Sequence, residues 1–145
     1  MPIVYRSPNS VKEFEDYFKI RWELLRKPLG LKPGSEQDEV ENSAFHLAAF
    51  KNEKIIGVSR LHIENDATAR IRYMSVDCNF RNQGIGNRLL AELEKIAKTK
   101  NVKICWLYAR DNAVDFYLKN NYQIKDIAAS ELEIKHHRME KVLHD

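Results

Sequence analysis

The feature that most constrains the fold is a succession of three strand-like segments that leads through a glycine-containing turn into an amphipathic helix. The three segments are AFHLAAF (44–50), KIIGVSRLHIE (54–64) and ARIRYMSVD (69–77). Their residues follow the period of strands and short turn-like links join them, so they predict an antiparallel meander. After the turn, apolar residues recur at helical spacing from Ile85 to Ala97. The meander argues against a domain of regularly alternating parallel strands and helices.

Two segments precede these strands. Apolar residues spaced three and four apart between residues 11 and 25 predict a helix with one face turned to a core. Residues 27–42 are rich in glycine, proline and acidic residues and have no strand pattern. They are therefore predicted to form a loop or broken helix at the surface.

Four segments complete the chain. VKICWLYA (102–109) is almost continuously apolar, as is typical of a strand that is buried on both faces. DNAVDFYLKNN (111–121) predicts a short helix, and YQIKDIAA (122–129) and LEIKHHRMEKVL (132–143) predict two further strands.

Composition is that of an ordinary globular protein. With 145 residues, 43% of them hydrophobic, one domain spanning residues 1–145 is expected. The net charge of +3 arises from 24 basic and 21 acidic residues, so no strong field indicates nucleic acid or a membrane as a partner. Cys78 and Cys105 predict reduced thiols, with no disulfide and no zinc site. No signal-like or membrane-spanning segment is found, so a cytoplasmic location is expected.

The turn FRNQGIGNRLL (80–90) is a candidate phosphate-binding site. It leads into a helix N-terminus, where unpaired backbone N–H groups and the helix dipole attract anions. Glycine lets the backbone approach a bulky diphosphate, and Arg81 adds a cation. The turn lacks the Lys-Ser/Thr pair of a P-loop and the third glycine of a dinucleotide fingerprint. Taken alone, it is equally consistent with the start of a well-packed helix.

The surroundings of this turn resemble the first signature of the GNAT superfamily of N-acetyltransferases. In YMSVDCNFRNQGIGNRLLAELEKIA (73–97), a strand is followed by the pattern Q/R-x-x-G-x-G/A and a helix. Arg81, Gly84 and Gly86 occupy the three defining positions.

A later segment, YARDNAVDFYLKNNYQI (108–124), resembles the second signature of the same family, N-A-x-x-F-Y in its common variant. Asn121 and Tyr122 stand where the family usually has glycine and phenylalanine. Asparagine tolerates the left-handed conformation that glycine supplies at a helix end, so the exchange is mild.

The resemblance implies an α+β (three-layer α/β) fold. Its central sheet is mixed and mostly antiparallel, has about six or seven strands flanked by helices, and splays apart between the fourth and fifth strands. Residues 21–39, 72–77 and 136–141 further resemble a group of small, uncharacterised bacterial acetyltransferases. In that arrangement the 27–42 segment would lie over the acceptor cleft.

The resemblance also implies which residues hold acetyl-CoA, or another acyl-CoA, as the co-substrate. The backbone of Met74, Ser75 and Val76 would pair with the pantetheine amides. The glycine turn would bind the diphosphate through its N–H groups, with Asn87 at the edge. The turn residues concerned are Arg81, Asn82, Gln83, Gly84, Ile85 and Gly86.

Three residues of the second signature would lie beside the pantetheine arm. Asn112 would bond it and Phe116 would pack near it. Tyr117 matches the family tyrosine that protonates the leaving thiolate after direct attack of a neutral amine in one ternary complex. A phenol with a pKa of about 10 suits that role. The alternative is an aromatic side chain that packs in the short helix, with its hydroxyl bonded to water or backbone.

Glu64 and Asp77 are candidates for the general base, because each stands at the end of a strand near the expected cleft. Acidic residues at strand ends are usually solvated caps. A chain of water molecules is a further route for the amine proton.

His136 and His137 are adjacent in a predicted strand, so their side chains point to opposite faces and cannot close on one ion. No metal is expected. A histidine facing the cleft would be a substrate contact or a base. His46 and His62 are expected to be ordinary sheet residues, and Arg72 is either an acceptor-site cation or the polar half of an alternating strand.

The sequence therefore predicts an acyl-CoA-dependent N-acetyltransferase that acts on a small-molecule or peptide amine, in a fold in which homodimers are common. The alternative is a non-catalytic acyl-CoA sensor or interaction module with the same fold, which would need no proton donor.

Overall fold

The structure, a computed structural model, describes residues 2–65, 67–129 and 135–143. These residues belong to two compact units. The first unit contains residues up to 62 together with residues 73–93, and the second contains residues 63–72 and those from 94 onward. The organisation of residues 1–145 as one domain stays a prediction.

Strands and helices follow one another in the predicted order. The strands are β1 (Val4–Arg6), β2 (Phe45–Lys51), β3 (Lys54–Ile63), β4 (Thr68–Val76), β5 (Ile104–Arg110), β6 (Gln123–Ala129) and β7 (Lys135–Val142). The helices are α1 (Val11–Leu25), α2 (Ile85–Thr99) and α3 (Val114–Lys119). Short 3-10 turns occupy residues 27–29, 41–43, 78–80 and 111–113.

The described strands form a seven-stranded sheet in the order β1-β2-β3-β4-β5-β7-β6. The β4–β5 pair is parallel, whereas the pairs β1–β2, β2–β3, β5–β7 and β6–β7 are antiparallel. The predicted mixed, mostly antiparallel sheet is therefore confirmed. The parallel register joins residues 68–70 of β4 to residues 104–106 of β5.

In the first unit, helices pack against both faces of the sheet. Tyr17 of α1 lies in a buried cluster with Ala48 and Phe50 of β2. On the opposite face, Gly57 of β3 faces Leu89 of α2. A Cβ added to the glycine would lie 3.1 Å from the leucine Cδ1, so the absence of a side chain lets α2 approach closely. This arrangement agrees with the expected three layers.

In the second unit, Tyr122 links α2, α3 and the strands. Its ring lies 5.7 Å from that of Tyr117, and its hydroxyl donates to Glu94 Oε2 of α2 at 2.9 Å. The other oxygen of Glu94 accepts from Lys141 Nζ of β7, also at 2.9 Å. The preceding residue, Asn121, has a φ of 72°, which confirms that it takes the left-handed conformation usually supplied by glycine.

The N-terminal strand was not predicted. Its apolar stretch is only three residues long, and residues 4–6 become a strand by pairing with β2. The 27–42 segment is a loop with short 3-10 turns, as predicted. In the part of the chain that the structure describes, no helix is long and apolar enough to cross a membrane.

Candidate active site

The glycine turn enters α2 through two residues in the left-handed region. Asn82 and Gly84 have φ values of 64° and 78°. α2 begins at Ile85, and the Arg88 N–H donates to the Gly84 carbonyl at 3.1 Å, so that carbonyl accepts an early helical hydrogen bond. Where left-handed residues interrupt a right-handed backbone, successive N–H groups point into a shared concavity that attracts anions.

This concavity is open to a ligand. Residues 81–84 are exposed, and a Cβ built on Gly84 would meet no atom within 4 Å. Among the described residues, none accepts a hydrogen bond from the N–H groups of residues 82–86. The first turn of α2 carries no acidic side chain. The donors of the turn therefore fit a diphosphate, which needs several N–H groups.

The end of β4 offers backbone groups close to the turn in sequence. Tyr73, with a φ of 59°, interrupts the regular strand conformation. Met74, Ser75 and Val76 follow it and are half-buried. In the described part of the first unit, β3 is the strand beside this segment. The pairing of these three residues with an extended ligand stays a prediction.

The second signature lies in the second unit. Asn112 is exposed in the 111–113 turn, and Phe116 and Tyr117 follow in α3. Tyr117 is 7% exposed, with its ring 5.0 Å from that of Phe116. Burial raises the pKa of Tyr117 above the ordinary phenol value, because the charged phenolate would be poorly solvated. Among the described residues, its hydroxyl has no hydrogen-bond partner.

The two candidate bases have different surroundings. Asp77 accepts a hydrogen bond from the Asn79 N–H at 2.9 Å and so caps the 78–80 turn. Glu64 is exposed and accepts from Trp106 Nε1 at 2.5 Å. Neither contact tests a role as base, which stays a prediction for both.

The adjacent histidines occupy opposite faces of β7. His136 pairs in register with Arg110, and its ring lies 6.3 Å from that of Tyr108. His137 contacts the Asp111 carboxylate through Nε2. The predicted separation of the two side chains is confirmed. Searched over the described residues, the structure contains no group of three or more His, Cys, Asp or Glu side chains arranged to hold a metal.

A buried ionic cluster in the first unit was missed by sequence reasoning. Arg21 and Arg60 are 0% and 1% exposed, and both donate to Glu41 Oε2, at 2.9 and 3.0 Å. Arg60 also holds both oxygens of Asp38, at 2.7 and 2.9 Å. The ring of Tyr73 lies 4.1 Å from Arg21 Cζ. Two features of the sequence could have indicated this cluster. Arg21 lies on the apolar side of α1, and Arg60 lies within a mostly apolar strand, β3.

His46 belongs to this cluster and is not an ordinary sheet residue. Its Nε2 lies 2.8 Å from the Glu41 carbonyl, which can only accept, so Nε2 carries the proton. Nδ1 lies 3.1 Å from the Tyr17 hydroxyl and 3.4 Å from Arg21 Nη2. Burial lowers the pKa of His46, and the neighbouring arginine adds to this effect.

The sequence of residues 11–122 matches the model of the acetyltransferase (GNAT) family, a segment that contains the glycine turn and α3. The chain belongs to the GNAT acetyltransferase family.

Two relatives are named as N-acetyltransferases. The chain is 28% identical over 113 residues to the uncharacterized N-acetyltransferase YjcF of Bacillus subtilis. The aligned segment covers 78% of this chain and 80% of that protein. The chain is also 34% identical over 88 residues to the spermidine N(1)-acetyltransferase of Thermoplasma acidophilum. This alignment covers 59% of this chain and 54% of that protein.

A solved structure supports the fold. The PaiA N-acetyltransferase from Thermoplasma acidophilum, in complex with coenzyme A, matches with a TM-score of 0.78 and 22% sequence identity. The match covers 99% of this chain and 100% of that one. At this identity the likeness shows the shared fold.

Proposed function

We propose that this protein transfers the acetyl group of acetyl-CoA to a primary amine of a small molecule or peptide, by direct attack in a ternary complex. The observation that carries the proposal is the exposed glycine turn, whose N–H groups from residues 82–86 have no acceptor among the described residues. Acetyl-CoA brings both the diphosphate that such donors bind and an activated thioester.

The residues on the cofactor side are proposed from their positions in the motifs. The turn, from Arg81 to Gly86, would hold the diphosphate, with Asn87 beside it. The backbone of residues 74–76 would pair with the pantetheine amides. Asn112 and Phe116 are proposed, from their positions in the second signature, as residues that contact the pantetheine arm.

Tyr117 would supply the proton that the leaving sulfur requires. Its hydroxyl is protonated at neutral pH, as an ordinary phenol is, although burial raises its pKa and makes it a weaker acid. It has no competing partner among the described residues. Glu64 and Asp77 are the two proposed routes for the proton of the amine. Glu64 is the more exposed of the two.

The acceptor class follows from the family. The Thermoplasma relative is named for spermidine, so amines of small molecules are a natural first panel. A homodimer is proposed because dimers are common for this fold, and a cytoplasmic location because acetyl-CoA is available there.

A thermal-shift experiment tests the cofactor site. Acetyl-CoA should raise the melting temperature, because a ligand that binds the native state stabilises it, and NAD should not. Gly84→Ala should reduce this rise, because alanine disfavours the φ of 78° by roughly 1–2 kcal/mol and the turn would lose its shape.

Gly30→Ala is the matched control. Gly30 has a φ of 74° and, like Gly84, no atom within 4 Å of an added Cβ. The variant carries the same backbone strain away from the turn, so its acetyl-CoA shift should equal that of the wild type. A shift with NAD alone would sink the proposal.

The second candidate, a non-catalytic acyl-CoA sensor, is favoured by the packing of Tyr117 between Phe116 and Tyr122. It predicts tight acetyl-CoA binding without turnover on any amine.

A further inference from the structure

A lysine that belongs to neither signature lies next to the glycine turn. Lys51 ends β2, and its Nζ lies 5.2 Å from the centroid of the Phe80 ring. An ammonium group at this distance from an aromatic face is attracted by the ring. Phe80 ends the 78–80 turn and directly precedes Arg81. The ammonium of Lys51 is therefore held beside the start of the glycine turn.

Backbone contacts join this lysine's hairpin to the residues before the turn. The Asp77 N–H donates to the Ile56 carbonyl of β3 at 2.8 Å, and the Phe80 N–H donates to the Asp77 carbonyl at 2.9 Å. Lys51 pairs in register with Lys54, where β2 turns into β3. These residues all belong to the first unit, so one sheet positions Lys51 relative to the turn.

The Lys51 ammonium has no acidic partner within the described part of the chain, where it forms neither an ion pair nor a side-chain hydrogen bond. The two acidic residues of the hairpin and the 77–80 segment have other contacts. Asp77 accepts from the Asn79 N–H at 2.9 Å, and Glu53 interacts electrostatically with Arg6. Lys51 is half-buried, so its charge is held in place without a carboxylate to balance it.

The charges around Lys51 favour an anion. Residues 51–54 and 77–84 contain three cations, Lys51, Lys54 and Arg81, and two carboxylates, Glu53 and Asp77. Lys51 and Lys54 stand directly opposite each other, where like charges repel. The N-terminus of α2 adds a partial positive charge. An anion bound at Lys51 would relieve this repulsion.

Coenzyme A carries a phosphate for which the backbone of the glycine turn does not account. The N–H groups of residues 82–86 fit the diphosphate, and a single ribose separates that diphosphate from the 3′-phosphate. The 3′-phosphate must therefore lie close to the turn. A phosphate monoester carries about 1.5 to 2 negative charges at pH 7, and lysine binds phosphate as a point charge.

We propose that Lys51 binds the 3′-phosphate of coenzyme A and makes the protein select coenzyme A over 3′-dephospho-coenzyme A. The Phe80 ring supports the ammonium, and the glycine turn holds the diphosphate. This inference rests on the proposed acetyl-CoA-dependent function and adds a specificity-determining residue to its cofactor side.

Coenzyme A and 3′-dephospho-coenzyme A differ only in this phosphate, so their comparison isolates it. Each is titrated calorimetrically into the full-length protein at low ionic strength. Coenzyme A should bind about tenfold more tightly, as for one hydrogen bond between charged groups. The preference should shrink as salt is added, because salt screens the attraction between exposed charges.

Lys51→Gln should erase this preference by weakening the binding of coenzyme A about tenfold, with little change for 3′-dephospho-coenzyme A. Because the Lys51 ammonium forms no ion pair among the described residues, the ligand-free variant should melt close to the wild-type temperature.

Lys54→Gln is the matched control. Lys54 stands opposite Lys51 in the same hairpin, is exposed and, among the described residues, lies over no aromatic ring. The variant removes the same charge from the same hairpin, so the preference for coenzyme A should be kept.

Each result of these titrations has one meaning. Loss of the preference in Lys51→Gln alone supports the assignment. No preference in the wild type, a preference that survives in Lys51→Gln, or an equal loss in both lysine variants overturns it and leaves the transferase function standing, because coenzyme A is still bound. Failure of the wild type to bind either compound overturns the cofactor site on which both proposals rest.

Discussion

Tyr117 is buried in α3 between two aromatic rings, with no hydrogen-bond partner for its hydroxyl among the described residues. If it protonates the leaving thiolate, Tyr117→Phe should lower kcat about a hundredfold, within the range for a general acid. KM for acetyl-CoA should change little. The melting temperature should not fall, because the hydroxyl bonds none of the described residues and its removal breaks no hydrogen bond among them.

Tyr122→Phe is the control for this substitution. Tyr122 is 1% exposed and its hydroxyl donates to Glu94. Removal of this hydroxyl leaves the Glu94 carboxylate with one hydrogen-bond donor fewer. That variant should be less stable by about 1–3 kcal/mol with kcat largely kept. The reverse pattern, a full rate for Tyr117→Phe and a low one for Tyr122→Phe, would remove Tyr117 as the acid.

The conformation of a single residue was predictable where the residue type restricts the backbone. Asn121 replaces glycine because asparagine accepts a φ of 72°, and this follows from the residue type alone. The partner of Glu64 was not predictable, because Trp106 lies far from it in sequence, whereas Asp77 caps the turn that directly follows it.

Among the elements, the 27–42 segment is fixed to the sheet by the ionic cluster of Arg21, Arg60, Asp38 and Glu41. Both arginines donate to Glu41 Oε2. Glu41→Gln should lower the free energy of unfolding by about 3 kcal/mol or more, since it leaves two buried cations with less compensating charge. Glu39→Gln makes the same change at an exposed position of this segment and should be neutral. Equal midpoints in urea unfolding for the two variants would contradict the role of the cluster.

His46, on β2, makes the stability of this region depend on pH. Its pKa is lowered in the folded state, so the unfolded chain binds a proton that the folded chain resists. The stabilisation is complete above the unfolded pKa of about 6.5 and is lost as the pH falls below it. His46→Gln should flatten this slope in urea unfolding measured from about pH 7.5 to 5. Parallel slopes for the variant and the wild type would rule out His46 as the source.

The spacing of apolar residues predicted the main elements, because a helix or strand that buries one face repeats apolar residues at its own period. It could not predict β1, which is a strand only because β2 pairs with it. It also could not predict which residues of β4, β5 and β7 stand side by side, because that depends on the register.

For the whole molecule, two motifs and their order were enough to predict the family, and the family model covers both. The acceptor was beyond sequence reasoning, because it depends on side chains that distant strands bring together.

Release of free thiol from acetyl-CoA by the full-length protein, across a panel of amines, amino acids and peptides, tests the central claim most directly. We predict thiol release that requires both the protein and a primary amine, with the acetylated amine as the product. Tight binding of acetyl-CoA without thiol release on any acceptor would contradict an N-acetyltransferase and identify a sensor.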